Sequence, residues 1–383
     1  MVDRVQQIVA TLPELTNLRG VSEEAERRLA KGDAAFVAEL GIALAERDSS
    51  AAGQVWQYRS ILDHLLRLLA ITPGRKNVEQ ALRLVAAARS GGGRDRDRYV
   101  ASLLASAQTP KDLAVVFAGD GAPGGAPEEL RACLVHEMVL RGVAVTKAPG
   151  IARWVNSPHW RHHPLGWLPL SLSSVEEAPG LPAYSVRASS VGLPFGPSER
   201  PGLLLDRVLT VRVPAARETT TPSMASAMAV AVANWAGESN GRIEARVFDL
   251  AGPVDALAVP DTLAAAGLDC LSGLTRRSRF SISACPPAQA WRVLFAAASA
   301  GGAYKGSCFG AYGRLAAWRS LAGICGAAEG ASAAEVEGQV RECDWFSFDA
   351  DTNWYDQVAW DIGLAAVRPG RQRLAVLAAT DTD

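Results

Sequence analysis

Over the first 150 residues the apolar positions recur at helical spacing. Leu29, Phe36, Val37, Leu40 and Leu44 form one such face, and Trp56, Ile61, Leu62, Leu65, Leu68 and Leu69 form a second, as an amphipathic helix requires. Thr72-Pro73-Gly74 interrupts the pattern and Val78 to Ala88 resumes it; Ser90-Gly91-Gly92-Gly93 breaks it again before a helix from Tyr99. Ser22, followed by three glutamates within four residues, predicts a capped helix start, where acidic groups suit the positive end of the helix dipole. Gly119 to Pro127 is too rich in glycine and proline for a regular element. Pro127-Glu128-Glu129 then opens a helix through Leu140 with proline in its first turn. Residues 1–150 thus predict antiparallel helices in a loosely solenoid-like stack, without the fixed period of a repeat family.

The pattern changes over 151–200. Prolines at 158, 164, 169, 179, 182, 194 and 197 preclude long helices. Trp154, Trp160 and Trp167 argue for an ordered connector, because such side chains find a surface to cover.

Residues 201–383 mix the two periods. Strands are predicted over 203–213, 243–250, 279–285, 345–348, 359–367 and 374–380. Helices are predicted from Thr221-Pro222 through Ala236, over 255–266, from Pro286-Pro287 through Ala298, over 312–325, and from Ser332-Ala333-Ala334-Glu335, a capping box. Arg368-Pro369-Gly370-Arg371 reads as the turn of a terminal β-hairpin. The fold class is therefore α+β: a helical half, then a domain with a mixed sheet that ends in the hairpin.

Charge narrows the range of partners. With 39 basic and 40 acidic residues, the chain lacks the basic excess that marks a nucleic-acid or anionic-lipid binder. The most apolar window, 224–236, is too short to span a bilayer and contains Ser226 and Asn234. Residues 1–17 lack the pattern of a signal peptide. The six cysteines show no paired spacing, which suits reduced thiols and a cytoplasmic location.

Three stretches carry candidate chemistry. Asp349-Ala350-Asp351-Thr352-Asn353 starts like a calcium loop, but Trp354 and Trp360 stand where the glycine and glutamate of that loop belong. Asp349, Asp351 and Asp361 are the candidate ligands of a divalent cation; against this, aspartate and asparagine favour turns by local hydrogen bonding. Asp361 lies in an apolar strand and needs a partner there.

His159, His162 and His163 form the second candidate, a secondary metal site. Their spacing matches no zinc motif, and Arg161 between them opposes a cation; a surface loop anchored by Trp160 is the plainer reading. The third is the glycine-rich stretch 301–314. Its Gly302, Lys305, Gly306, Ser307 and Arg314 offer an anion or ligand loop, although the order of a phosphate-binding loop is absent. The plainer reading is a helix-to-helix crossover whose small residues permit close approach. Cys133 and His136 share a helical face, where a cysteine is ordinarily core.

The segments Trp345-Phe346-Ser347-Phe348-Asp349, Trp360 to Ala365 and Leu377 to Asp383, with Gly310 to Leu321, resemble a domain-of-unknown-function family of high-GC bacteria. That resemblance implies no activity, cofactor or residue role for this chain. The residues favour a cytoplasmic, non-enzymatic protein-binding role, adaptor or immunity-like, with a protein partner and no cofactor. The alternatives are a divalent-metal-dependent hydrolase built on the C-terminal carboxylates, and a domain that senses a small anion through the glycine-rich loop.

Overall fold

A computed structural model of the chain describes residues 2–50, 55–88, 93–118, 125–194, 203–204, 213–274, 278–303, 307–355 and 360–382. The chain forms two compact units, Met1–Gly166 with Pro182–Ser190, and Trp167–Leu181 with Val191–Asp383.

The first unit is helical. It contains α1 (Val2–Thr11), α2 (Arg19–Ala30), α3 (Ala34–Ser50), α4 (Trp56–Ile71), α5 (Arg75–Ala87), α6 (Gly93–Ala107), α7 (Pro110–Leu113), α8 (Glu128–Leu140), α9 (Pro149–Trp154) and α10 (Pro158–His162), with a short antiparallel pair, β1 (Ala183–Tyr184) and β2 (Ser189–Ser190). The periodic apolar faces meet: α3 packs against α4 and α5, and α6 against α8. Leu29, Phe36, Val37, Leu40, Leu44, Leu62, Leu65 and Leu69 are all buried there. From Leu130 to Leu140, α8 is buried on every side, so its polar groups need internal partners. Arg131 Nε donates to Val116 O at 3.0 Å, and Arg141 pairs with Glu137 at 2.6 Å.

Two helix starts differ from the expectation. Ser22 lies inside α2, which begins three residues earlier at Arg19, because Asn17 Oδ1 accepts the Arg19 N–H at 2.8 Å and supplies an upstream anchor. Pro127 occupies the N-cap of α8 rather than its first turn.

The second unit is built on a seven-stranded sheet of order β3-β6-β7-β8-β9-β5-β4. The strands are β3 (Leu203–Leu204), β4 (Ala216–Glu218), β5 (Arg242–Leu250), β6 (Arg279–Cys285), β7 (Asp344–Ala350), β8 (Trp360–Val367) and β9 (Arg373–Asp381). Every pairing among the described residues is antiparallel, which corrects the mixed sheet expected from the sequence. Alternation of strands with helices suggested a mixed sheet, but the last three strands in the chain, β7, β8 and β9, run as an antiparallel meander, and β6 and β5 pair antiparallel with its two outer strands. Of the strand expected over 203–213, Leu203–Leu204 is present and 205–212 lies outside the described residues.

Helices α11 (Pro222–Ala229), α12 (Ala233–Glu238), α13 (Val259–Ala265), α14 (Pro287–Ala300), α15 (Phe309–Cys325) and α16 (Ala333–Glu342) complete the unit. Thr221 caps α11, its hydroxyl accepting the Met224 N–H at 3.2 Å, and the capping box at Ser332 and Glu335 forms on α16. One sheet face packs Phe248, Phe280, Phe346, Phe348, Leu374 and Val376 against Val259, Leu263 and Leu271. Helices α11, α12, α14 and α15 also contact the sheet. From Leu374 to Asp381, β9 is buried at every position, as a central strand covered on both faces must be.

Candidate functional site

The terminal hairpin supplies the centre of the candidate site, but through its turn rather than its carboxylates. Between β8 and β9 the chain runs through Arg368, Pro369, Gly370, Arg371 and Gln372. Gly370 and Arg371 take φ values of 82° and 58°, and the Arg371 N–H closes the turn on Arg368 O at 2.9 Å. Three arginines thereby leave the hairpin in different directions. Arg371 pairs with Asp344 at 3.0 Å and Arg373 with Asp249 at 2.9 Å.

Arg368 instead reaches the carboxyl end of α15. Its Nε donates to Ile324 O at 2.9 Å and its Nη2 to Gly323 O at 3.2 Å. A guanidinium suits the negative end of a helix dipole and caps its orphan carbonyls. The side chain is only 7% exposed and has no carboxylate partner among the described residues. Burial pulls its pKa below the ordinary guanidinium value, yet an arginine remains charged.

Two glycines shape this end of α15. Gly326 terminates the helix in the left-handed region at φ +77°, and a Cβ there would meet Arg368 Nη1 at 2.5 Å; glycine is required on both counts. A Cβ on Gly323 would meet the backbone of α11 at 2.7 Å, at Ala227 and Met228, so this glycine allows the two helices to touch. The Ala231 N–H then donates to Ser320 Oγ at 2.8 Å.

The result is a cleft of about 560 Å³ between α11, the end of α15, the 326–331 loop and the hairpin turn. Trp167, Met224, Ala227, Val230 and Val336 line its apolar part, and Arg319, Arg368 and Arg373 its cationic part, with Glu329 also on the wall. Trp167 is held by its Nε1–H, which donates to Ala331 O at 3.1 Å. Arg319 is exposed and has no ion pair among the described residues. Ala322 and Gly323 lie three and four residues beyond Arg319, one helical turn on, so Arg319 and Gly323, whose carbonyl holds Arg368, share a face of α15.

The described residues among those singled out from the sequence lie elsewhere. Asp349, on β7, accepts from Arg279 Nη2 at 3.3 Å, and the Asp351 backbone N–H donates to Arg279 O at 2.9 Å. Asp361, on β8, accepts from Thr380 Oγ1 at 2.6 Å, the partner its strand position required. Among the described residues no three His, Cys, Asp or Glu side chains gather as metal ligands.

The three histidines take separate partners in the first unit. His159 pairs with Glu128 at 3.2 Å, and His162 Nδ1 donates to Pro158 O at 2.8 Å. His163 accepts the Leu165 N–H on Nδ1, so its Nε2 donates to Glu129 at 3.2 Å. His136, beside the buried Cys133 in sequence, donates from Nε2 to Leu165 O at 2.9 Å and stacks on Trp160.

In the glycine-rich stretch, Lys305 and Gly306 lie outside the described residues. Gly302 abuts the buried Asp381, whose Oδ2 accepts the Ala303 N–H at 2.7 Å, and Ser307 Oγ donates to Ser299 O at 2.5 Å. Arg314 is wholly buried and forms a two-pronged pair with Glu176: Nε to Oε1 at 2.6 Å and Nη2 to Oε2 at 2.7 Å. Its remaining donors reach Pro169 O and Ser171 O at 2.8 and 2.9 Å.

The thiols are graded by burial. Cys133, Cys270, Cys285, Cys325 and Cys343 are buried and Cys308 is partly accessible; all six are free. Burial is the main cause that raises the thiol pKa of Cys133, Cys270 and Cys325, and it pushes Cys343 up to about 12. A thiol-reactive probe added to the native protein should therefore label Cys308 first and the other five only on unfolding. Intact-mass measurement over time checks this; fast modification of a second cysteine would contradict it.

A helical unit and an antiparallel α+β unit with a cationic-apolar cleft define the class of protein. The chain belongs to the family of unknown function DUF6183, whose model matches residues 19–383. No curated protein and no solved structure matches it. Among the described residues no helix is long and apolar enough to cross a membrane.

Proposed function

We propose that this protein acts by binding rather than by turnover, as an adaptor or immunity-like partner of another protein, and that the cleft at the end of α15 is its recognition site. One observation carries the reading: Arg319 and Arg368 line a concave, partly apolar surface with no carboxylate of the chain paired to either among the described residues. Arg368 is buried and its partners are carbonyls. A buried charge without an internal counter-charge is costly, and a ligand that brings negative charge offsets that cost. The exposed Arg319 adds a second positive charge to the same wall. Convergent polar groups on an apolar wall are also the usual makeup of a binding pocket. The free thiols suit a reducing compartment such as the cytoplasm.

Immobilised wild-type protein, exposed to extract from its native host, should retain a partner that is released by moderate salt. Arg319→Glu should lose it, because the exposed side chain can be inverted without disturbing the core. Undiminished retention by Arg319→Glu would refute the assignment of the cleft.

A further inference from the structure

We propose that the arm Pro182–Ser190 is a latch on the helical unit that a proton releases, because His64 and Arg187 share the carboxylate of Glu26. The arm belongs to the first unit although the chain on either side of it belongs to the second. It carries β1 and β2, and the Ser185 N–H closes its turn on Ala188 O at 2.8 Å. So short a ladder holds little by itself, and the arm depends on what its side chains reach in the helices. The Tyr184 hydroxyl lies 2.9 Å from Ser102 Oγ on α6, and its ring meets Tyr99 edge-on at 6.3 Å between centroids. Arg187 reaches α2, where its Nη2 lies 3.4 Å from both oxygens of Glu26.

The second claimant to that carboxylate is His64, on α4. Its side chain is only 13% exposed, and its Nε2 stands 3.6 Å from Glu26 Oε1, too far for a hydrogen bond. That nitrogen is buried and makes no hydrogen bond among the described residues. A neutral imidazole tolerates the position, whereas a protonated one needs the carboxylate. On the side of α2 it faces Glu26 and the Ser22 backbone, on the side of the arm Arg187, and along α4 Arg67. Arg67 is turned to α6, where its Nε donates to Tyr99 Oη at 2.8 Å. Toward α3, Arg59 of α4 pairs with Asp48 more than a helical turn away. Glu23, three residues before Glu26 on α2, also attracts Arg187.

Burial holds the imidazole below its ordinary pKa; Glu26 opposes this, and Arg187 and Arg67 add to it. Linkage makes the effect reciprocal: a docked Arg187 that disfavours the proton is itself disfavoured by the proton. Protonated His64 donates its Nε2–H to Glu26 Oε1 and repels Arg187 from it. The hold of Arg187 is therefore complete above the ordinary imidazole value of about 6.5 and is lost as the pH falls through the lower value of the docked state. Tyr184, pushed up to about 12 by burial, keeps its proton throughout and adds no pH dependence of its own.

The test uses the full chain. Hydrogen exchange of the arm, corrected for the intrinsic pH dependence of exchange, reads its opening, and nuclear magnetic resonance of labelled histidines reads the imidazole. Between about pH 7.5 and about pH 5.5 opening of the arm should increase about two- to fivefold, the range of one exposed ion pair. In His64→Gln the opening should be the same at both values. Arg187→Ala should loosen the arm equally at both and should raise the His64 pKa. Arm exchange in the wild type that ignores pH overturns the proposal, as does a pH response that survives in His64→Gln. If His64→Gln does not fold, Arg187→Ala decides alone, since Arg187 is at an exposed position. One of the five imidazoles must then titrate higher in it, and a set of five unchanged titrations overturns the latch.

Discussion

Glu176→Ala should destabilise the second unit by about 3–5 kcal/mol, with a denaturation midpoint that falls well below that of the wild type. Glu176 and Arg314 are both fully buried. The Glu176 carboxylate accepts from Arg314 Nε and Nη2, from Trp318 Nε1 at 2.8 Å and from the Ser173 N–H at 2.8 Å. Its removal strands a guanidinium, an indole N–H and a backbone N–H away from water, and each lost partner leaves a desolvated donor. The pair fastens the 167–181 segment to α15, so the damage should spread to Trp167 and the wall of the cleft. Arg314→Met with Glu176→Leu should recover part of the loss, because two apolar groups remove the buried charges together. Recovery should stay incomplete, since the Pro169 and Ser171 carbonyls lose their donor. Urea titrations followed by tryptophan fluorescence measure all three proteins. A loss for Glu176→Ala below about 1 kcal/mol, the range of an exposed pair, would show that water reaches the site.

Deletion of residues 374–383 should abolish cooperative folding of the second unit. The deleted strand is no edge: β9 lies between β8 and β5, paired with both along most of its length. Leu374, Val376 and Leu377 are completely buried, and each contributes about 1.5–3 kcal/mol. Their sum is comparable with the whole stability of a domain, about 5–15 kcal/mol, before the two broken ladders are considered. The deletion also bares the long edges of β8 and β5, and unpaired edges promote aggregation. Loss of near-ultraviolet dichroism and of solubility is the expected result. A soluble truncated protein with a sharp unfolding transition would show that the sheet closes without β9.

Local signals in the sequence located most elements. Arg279 to Cys285 is a strand to the residue, and the capping box at Ser332 starts α16 where four consecutive residues said it should. Apolar spacing marked the helices of the first unit, since a face that must be buried repeats every three to four residues. The Arg368 to Arg371 turn was legible from proline and glycine, whose backbone preferences act within a few residues. Even the need of Asp361 for a partner could be read from its apolar neighbours, and Thr380 opposite it on β9 meets that need.

What stayed hidden depends on residues distant in the chain. Strand direction follows from which strands become neighbours, and the alternation of elements pointed to the wrong choice. Arg314 stood in a glycine-rich stretch that suggested an anion, yet its anion is Glu176, an internal carboxylate from a segment read as connector. Arg368 and Arg319 carried no motif. They become a site only because β9 places the hairpin turn against the end of α15, and because Gly323 admits α11 beside it. Hydrophobic period, caps and turn residues are properties of neighbouring side chains and are written in the chain itself. Charge pairing and a cleft depend on distances that only the packed sheet and helices establish.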